Sequence, residues 1–126
     1  MNKNNLAIVI GGTGAIGTAI ASEIENLGFQ DVIKIGTKTI PSIDFNDEDT
    51  ILNTVNFVKE KQKPISILFD ATGILHDQQN SFMPEKTLKN INFEFAKKNF
   101  LINVIGPSLL VKHFASLLDS ENKSVF

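Results

Sequence analysis

The residues Gly11-Gly-Thr-Gly-Ala-Ile-Gly17 have the types and spacing best suited to chemistry. Gly12, Gly14 and Gly17 satisfy the pattern G-x-G-x-x-G. The apolar run Leu6–Ile10 comes directly before them and reads as a strand buried on both faces. Directly after them, Ile16, Ile20 and Ile24 recur at helical spacing. Strand, turn and helix in that order suit one task, holding a pyrophosphate. Glycines let the backbone turn tightly and approach the anion. The helix N-terminus then presents free N–H groups and the positive end of its dipole. Gly12 and Gly14 form the turn with Gly11, Thr13, Ala15 and Ile16, and Gly17 allows close packing of helix on strand. The same residues also suit a glycine-rich turn with no ligand.

The next informative position is the tip of the second strand. Val32–Ile35 is a short strand stopped by Gly36. About 20 residues past the glycine turn, an NAD site carries an acid for the ribose 2′-hydroxyl. Here the residues are Gly36, Thr37 and Lys38. The lack of a carboxylate, with a lysine able to meet a 2′-phosphate, favours NADP over NAD. The other reading of Lys38 is a solvated surface lysine. His76 and His113 have no ligand spacing around them, so both read as structural or surface residues and no metal site is expected.

These positions need a framework. Ile40 to Phe45 is expected to form a third strand, with Pro41 at its entry. Asn46 or Asp47 then caps a helix whose buried stripe is Ile51, Val55 and Val58, and Pro64 lies past its end. Ile65–Phe69 is a fourth strand, and His76 to Pro84 is a polar loop. A long helix is expected from Phe93 to Leu118, kinked at Gly106-Pro107. Ser124–Phe126 reads as the first residues of a fifth strand. Strands alternating with helices imply an α/β fold with a parallel sheet. The expected architecture is a Rossmann-type, doubly wound parallel sheet of four to five strands in one domain, 1–126, with the second half of the sheet missing.

Composition narrows the class further. Apolar residues make up 42% of the chain, too many for a disordered segment. Net charge is −2, and all 12 basic residues are lysines in no evident stripe, which argues against nucleic-acid binding. There is no cysteine, so disulfides are excluded and a cytoplasmic setting is expected. The N-terminal apolar run is broken by glycines, and no apolar stretch reads as long enough to cross a bilayer, so no membrane partner is expected.

Three further segments sharpen the picture: Asp70-Ala-Thr-Gly-Ile-Leu-His-Asp77, Pro84-Glu-Lys-Thr-Leu88 and Asn103-Val-Ile-Gly-Pro-Ser-Leu-Leu110. With the glycine turn, in this order, they make the chain resemble a short-chain dehydrogenase/reductase, closest to the subgroup similar to the cell–cell signalling C-factor protein. The resemblance spans essentially the whole sequence. It implies that Gly11–Gly17 is the cofactor turn, with Ala15 where the family usually has glycine. It implies that Asp44, with Phe45, stands at the family's adenine-contacting aspartate; a turn aspartate is the plainer reading. Ala71-Thr72-Gly73 stands where the family has Asn-Ala-Gly beside the cofactor. Asn103 matches the asparagine of the family's Asn-Ser-Tyr-Lys catalytic set, which holds a kinked helix and a water of the proton relay. An interior asparagine satisfying backbone freed near Pro107 is the alternative. The resemblance also implies a homo-oligomer through the helix at 93–118.

The family's chemistry uses a tyrosine as proton donor, a lysine one helical turn later and a serine at the carbonyl. This chain has no tyrosine. Two readings follow. In one, these residues are the NAD(P)-binding part of a reductase whose catalytic residues lie beyond Phe126. In the other, they are a stand-alone, non-catalytic nucleotide-binding or dimer-forming module.

Overall fold

A computed structural model describes all 126 residues. Leu6–Ile10 forms β1, and every residue in it is buried. Alternation along β1 splits the core in two. Leu6, Ile8 and Ile10 pack with Ile51, Val55, Leu110 and Phe114 on one face. Ala7 and Val9 pack with Ala21, Ile24 and Phe29 on the other. A strand covered on both faces has no polar side, which is why the run is continuously apolar.

Helix α1 spans Ala15–Asn26 and lies on the second face. Strand β2, Asp31–Ile35, pairs in parallel with β1, with Leu6 opposite Asp31 and Ile10 opposite Ile35. Helix α2, Glu48–Lys59, covers the first face through Ile51, Val55 and Val58. Of the two expected caps, Asp47 takes the role, its side chain accepting from the Asp49 N–H. Strand β3, Ile65–Asp70, pairs in parallel with the other edge of β1. The sheet order is therefore β2-β1-β3, the parallel α/β layering expected from the sequence.

The strand count differs. Residues 40–45 form no strand. The Thr39 hydroxyl accepts from the Gly36 N–H and donates to the Pro41 carbonyl, while the Ile43 N–H donates to the Gly36 carbonyl. These bonds fold the segment back over the end of β2 and use the groups a ladder would need. Ser124–Phe126 also falls short of a strand. Val125 makes an isolated parallel bridge to Ile67, giving its N–H to Ser66 and accepting from Leu68. Three strands form where four to five were expected.

The long helix is segmented. Helix α3, Phe93–Phe100, leads into a π turn at Leu101–Ile105, then helix α4, Gly106–Phe114, and a 3₁₀ turn at Ala115–Leu117. The irregularity lies one turn before the Gly106-Pro107 kink that the sequence suggests. Pro107 has no N–H to give, and the Gly106 N–H reaches back to Leu101, so the extra residue is absorbed upstream of the proline. Joined across the π turn, Phe93–Leu117 is 25 residues long with mean hydropathy 1.4, long and apolar enough by length and composition to cross a membrane. Lys97, Lys98 and Pro107 interrupt the apolar run in the sequence, yet the helix continues past all three. In the fold, Leu110 and Phe114 of this run belong to the core on the first face of β1.

Candidate functional site

The chain leaves β1 for β2 on one side and returns to β3 on the other, so the C-terminal end of β1 is a point where the winding reverses. Open parallel sheets bind ligands in the crevice at such a point. A cleft of about 400 Å³ opens there.

Its floor is the glycine turn. Gly11 turns the chain at φ +72°, a conformation in which a side chain is strained. The Thr18 N–H closes the first turn of α1 on the Gly14 carbonyl. Gly14 caps α1 with no side-chain bond, and the first turn holds no acidic residue, so the helix start is left for an outside anion. A Cβ at Gly17 would lie 2.2 Å from the Gly11 carbonyl oxygen, and no side chain fits there. A Cβ at Gly14 would meet only the same oxygen, at 3.4 Å. Gly14 therefore faces open space on the side away from that oxygen.

The walls come from three loops. Gly36 and Thr37 follow β2, while Ile43, Asp44, Phe45 and Asn46 precede α2. Ala71, Thr72 and Gly73 follow β3. Asp70 shapes that last wall, accepting from both the N–H and the hydroxyl of Thr72, at 2.9 and 2.6 Å. Asp44 accepts from the backbone and side-chain N–H groups of Asn46, at 2.9 and 2.8 Å. Those bonds hold its carboxyl below the ordinary aspartate range. Phe45 reaches from the cleft onto α4, where its ring packs against Gly106.

Of the residues singled out in the sequence, Gly11, Thr13, Gly14, Thr37, Asp44, Phe45, Ala71, Thr72 and Gly73 line one cleft. Gly12, Ala15, Ile16 and Gly17 build the turn and the start of α1 without lining it. Lys38 is exposed next to Thr37 and does not line the cleft either. Asn103, in the π turn, does not line the cleft, but its neighbour Ile102 does, and Asn103 Oδ1 lies 3.6 Å from where a Cβ on the lining residue Gly73 would stand. Its amide bonds the backbone of Ile74, and its Nδ2 also donates to Asn99 Oδ1 at 3.2 Å. It does not serve backbone near Pro107. Ile10, Gly36, Ile43, Asn46 and Ile102 also line the cleft and were not singled out as site residues. Ile10 and Gly36 ended recognised strands, and Ile102 adjoins Asn103, so position alone could have flagged them.

His113 lies far from the cleft. It contacts Glu48 at 2.6 Å, beside the Lys112–Glu48 ion pair, joining the end of α4 to the start of α2. Lys112 and His113 together hold the Glu48 carboxyl low. No group of three or more His, Cys, Asp or Glu residues is arranged to hold a metal ion.

Comparison with solved structures places this architecture. The carbonyl reductase from chicken fatty liver, solved with NADPH bound, superposes with a TM-score of 0.73 over 90% of this chain, at 17% identity. The fold is that of the short-chain dehydrogenases/reductases. A short-chain dehydrogenase/reductase from Serratia marcescens superposes with a TM-score of 0.71 over 91% of this chain, at 16% identity. The ligand-free aldohexose dehydrogenase of Thermoplasma acidophilum gives 0.73 over 91%, at 17% identity. The chain spans about half the length of the short-chain dehydrogenase structures it matches, 48%, 53% and 44% respectively. No protein-family model and no curated protein matches the sequence.

Proposed function

We propose that this chain is the NAD(P)-binding part of a short-chain dehydrogenase/reductase-type oxidoreductase of the C-factor-like subgroup. The observation that carries the reading is the cleft at the end of β1, with an uncapped helix start at its floor and the Asp44 and Ala71–Gly73 loops both lining it. In this reading the N–H groups at the start of α1 bind the pyrophosphate, with Gly14 leaving room for it. Thr37 and Lys38 flank the adenosine ribose, and Lys38 makes NADP the preferred form over NAD. Asp44 and Phe45 hold the adenine end. Ala71, Thr72 and Gly73 run beside the nicotinamide half, and Asn103 holds that wall through its bonds to Ile74.

A bound nicotinamide supplies hydride transfer to or from a carbonyl carbon. This chain's residues bind and orient the cofactor and exclude water around it. The proton that accompanies hydride needs a positioned acid, and no tyrosine is present for that role. The 126 residues on their own therefore bind cofactor without turning over substrate. The apolar positions left exposed on the 93–117 helix, including Phe93, Phe100, Val104 and Val111, suit self-association in a cytoplasmic homo-oligomer.

Calorimetric titration with NADPH and NADH tests the reading, on the wild-type chain and on Gly14→Val. The wild type is expected to bind. The valine, projecting into the cradle, is expected to abolish binding while leaving the helical signal intact. Equal, measurable affinity in both chains would overturn the reading.

A further inference from the structure

We infer that Asn46 is the positioning residue of the adenine subsite: it holds one carboxylate oxygen of Asp44, so that the other is offered to the exocyclic amine of the base. The inference rests on the dinucleotide reading above and assigns a role to a residue that reading leaves unused. Asp44 Oδ1 accepts both bonds from Asn46, while Oδ2 has no partner within the chain. Two donors on one oxygen fix the plane of the carboxylate as well as its position. The backbone beneath is fixed too. The Asp44 N–H donates to the Thr50 hydroxyl at 2.9 Å, that hydroxyl donates to the Asp47 carbonyl at 2.7 Å, and the Asp47 N–H closes on the Asp44 carbonyl at 2.9 Å. Between the two residues, Phe45 is clamped against Gly106.

Asp44 and Asn46 both line the cleft, so the pair faces the ligand space instead of merely closing a turn below it. Asp47, the expected alternative cap, already serves α2, which leaves the Asn46 side chain free for Asp44. A carboxylate oxygen is an acceptor only. It therefore favours a base with an amine at the six position over one with a carbonyl there, and the contrast is sharp only while the carboxylate is held still. Such discrimination comes from polar groups that the wrong base leaves unpaired.

The test is the affinity ratio for NADP against its analogue in which hypoxanthine replaces adenine. It is measured by calorimetry on wild type, Asn46→Ala, Asn46→Asp and Asn46→Gln. The wild type is expected to prefer adenine. Ala and the isosteric Asp should both lower that preference about five-fold, and Gln, which keeps the donor, should restore part of it. A turn-stabilising role alone would weaken both dinucleotides equally and leave the ratio unchanged, which would overturn the inference while leaving the cofactor reading intact. A wild-type chain that binds both bases equally would do the same. Failure of the wild type to bind either dinucleotide would instead overturn the cofactor reading, and this inference with it. If the Ala variant does not fold, the Asp variant supplies the comparison.

Discussion

The side-chain amide of Asn103 and the backbone of Ile74 exchange two hydrogen bonds: Oδ1 accepts from the Ile74 N–H at 2.8 Å, and Nδ2 donates to the Ile74 carbonyl at 2.7 Å. One side chain thereby does what a neighbouring strand would do for the loop after β3. A Cβ placed on Gly73 would lie 3.6 Å from Asn103 Oδ1, so the same contact sets the position of the cleft wall. Replacing Asn103 with alanine frees both Ile74 groups. The groups are open to solvent, so the expected loss is about 1 kcal/mol, read as a lower denaturant midpoint. Hydrogen exchange at the Ile74 amide should quicken in parallel. Unchanged exchange would mean the loop is held by other contacts.

Gly106 and Phe45 give a second prediction. A Cβ on Gly106 would sit 2.3 Å from a Phe45 ring carbon, so Gly106→Ala must push the ring out of place. Such overpacking costs about 1–3 kcal/mol. Because Phe45 also lines the cleft, cofactor affinity should fall together with the melting temperature. A variant as stable as wild type, with unaltered binding, would show that Phe45 has somewhere else to go.

Asp77 sets a pH dependence. Its carboxylate pairs with Lys98 on α3 and accepts from Asn80, and it is held down at about 2, with Lys98 the main cause. Together with the stack of Phe82 on Phe95, at 4.9 Å between ring centroids, it fastens the 77–82 turn to α3. The folded value lies below the ordinary 3.8, so the pairing stabilises the fold at pH values above 3.8 and is lost as the pH falls through about 2. The Phe82 amide, bonded to the Asp77 carbonyl, should lose exchange protection across that interval. Lys98→Ala should raise the Asp77 titration towards 3.8, as followed by its carboxyl carbon shift. An Asp77 that titrates identically in the variant would remove Lys98 as the cause.

Lys38 is exposed just outside the cleft, next to Thr37, which lines it. Lys38 forms no ion pair in the fold, and in the proposed reading it meets the 2′-phosphate of NADP. Lys38→Ala is expected to lower the NADP-to-NAD affinity ratio by weakening NADP alone. An unchanged ratio would assign the rim to solvent.

Much of this was legible in the sequence where a local rule had no competitor. The apolar run Leu6–Ile10 between polar and glycine residues reads as a doubly covered strand, and the structure forms one, with the glycine turn leading directly from it into α1. What failed were places where side chains outbid the pattern. Ile40, Ile43 and Phe45 alternate like a strand, but the Thr39 hydroxyl turns the segment back onto Gly36. Pro107 announced a kink, but not that a π turn would take it up four residues earlier, at Asn103. Asn46 and Asp47 were equal candidates for one cap, and the sequence held no sign that the residue released from capping would bind Asp44.

The most direct test is to map dinucleotide binding onto the backbone, by titrating NADPH into the isotope-labelled chain and following amide chemical shifts. The account predicts a single saturable set of changes at Gly11–Gly17, at Asp44–Asn46 and at Ala71–Gly73, three segments far apart in sequence that meet in the cleft. Saturable binding that leaves those segments unmoved, or no binding at all, would contradict it.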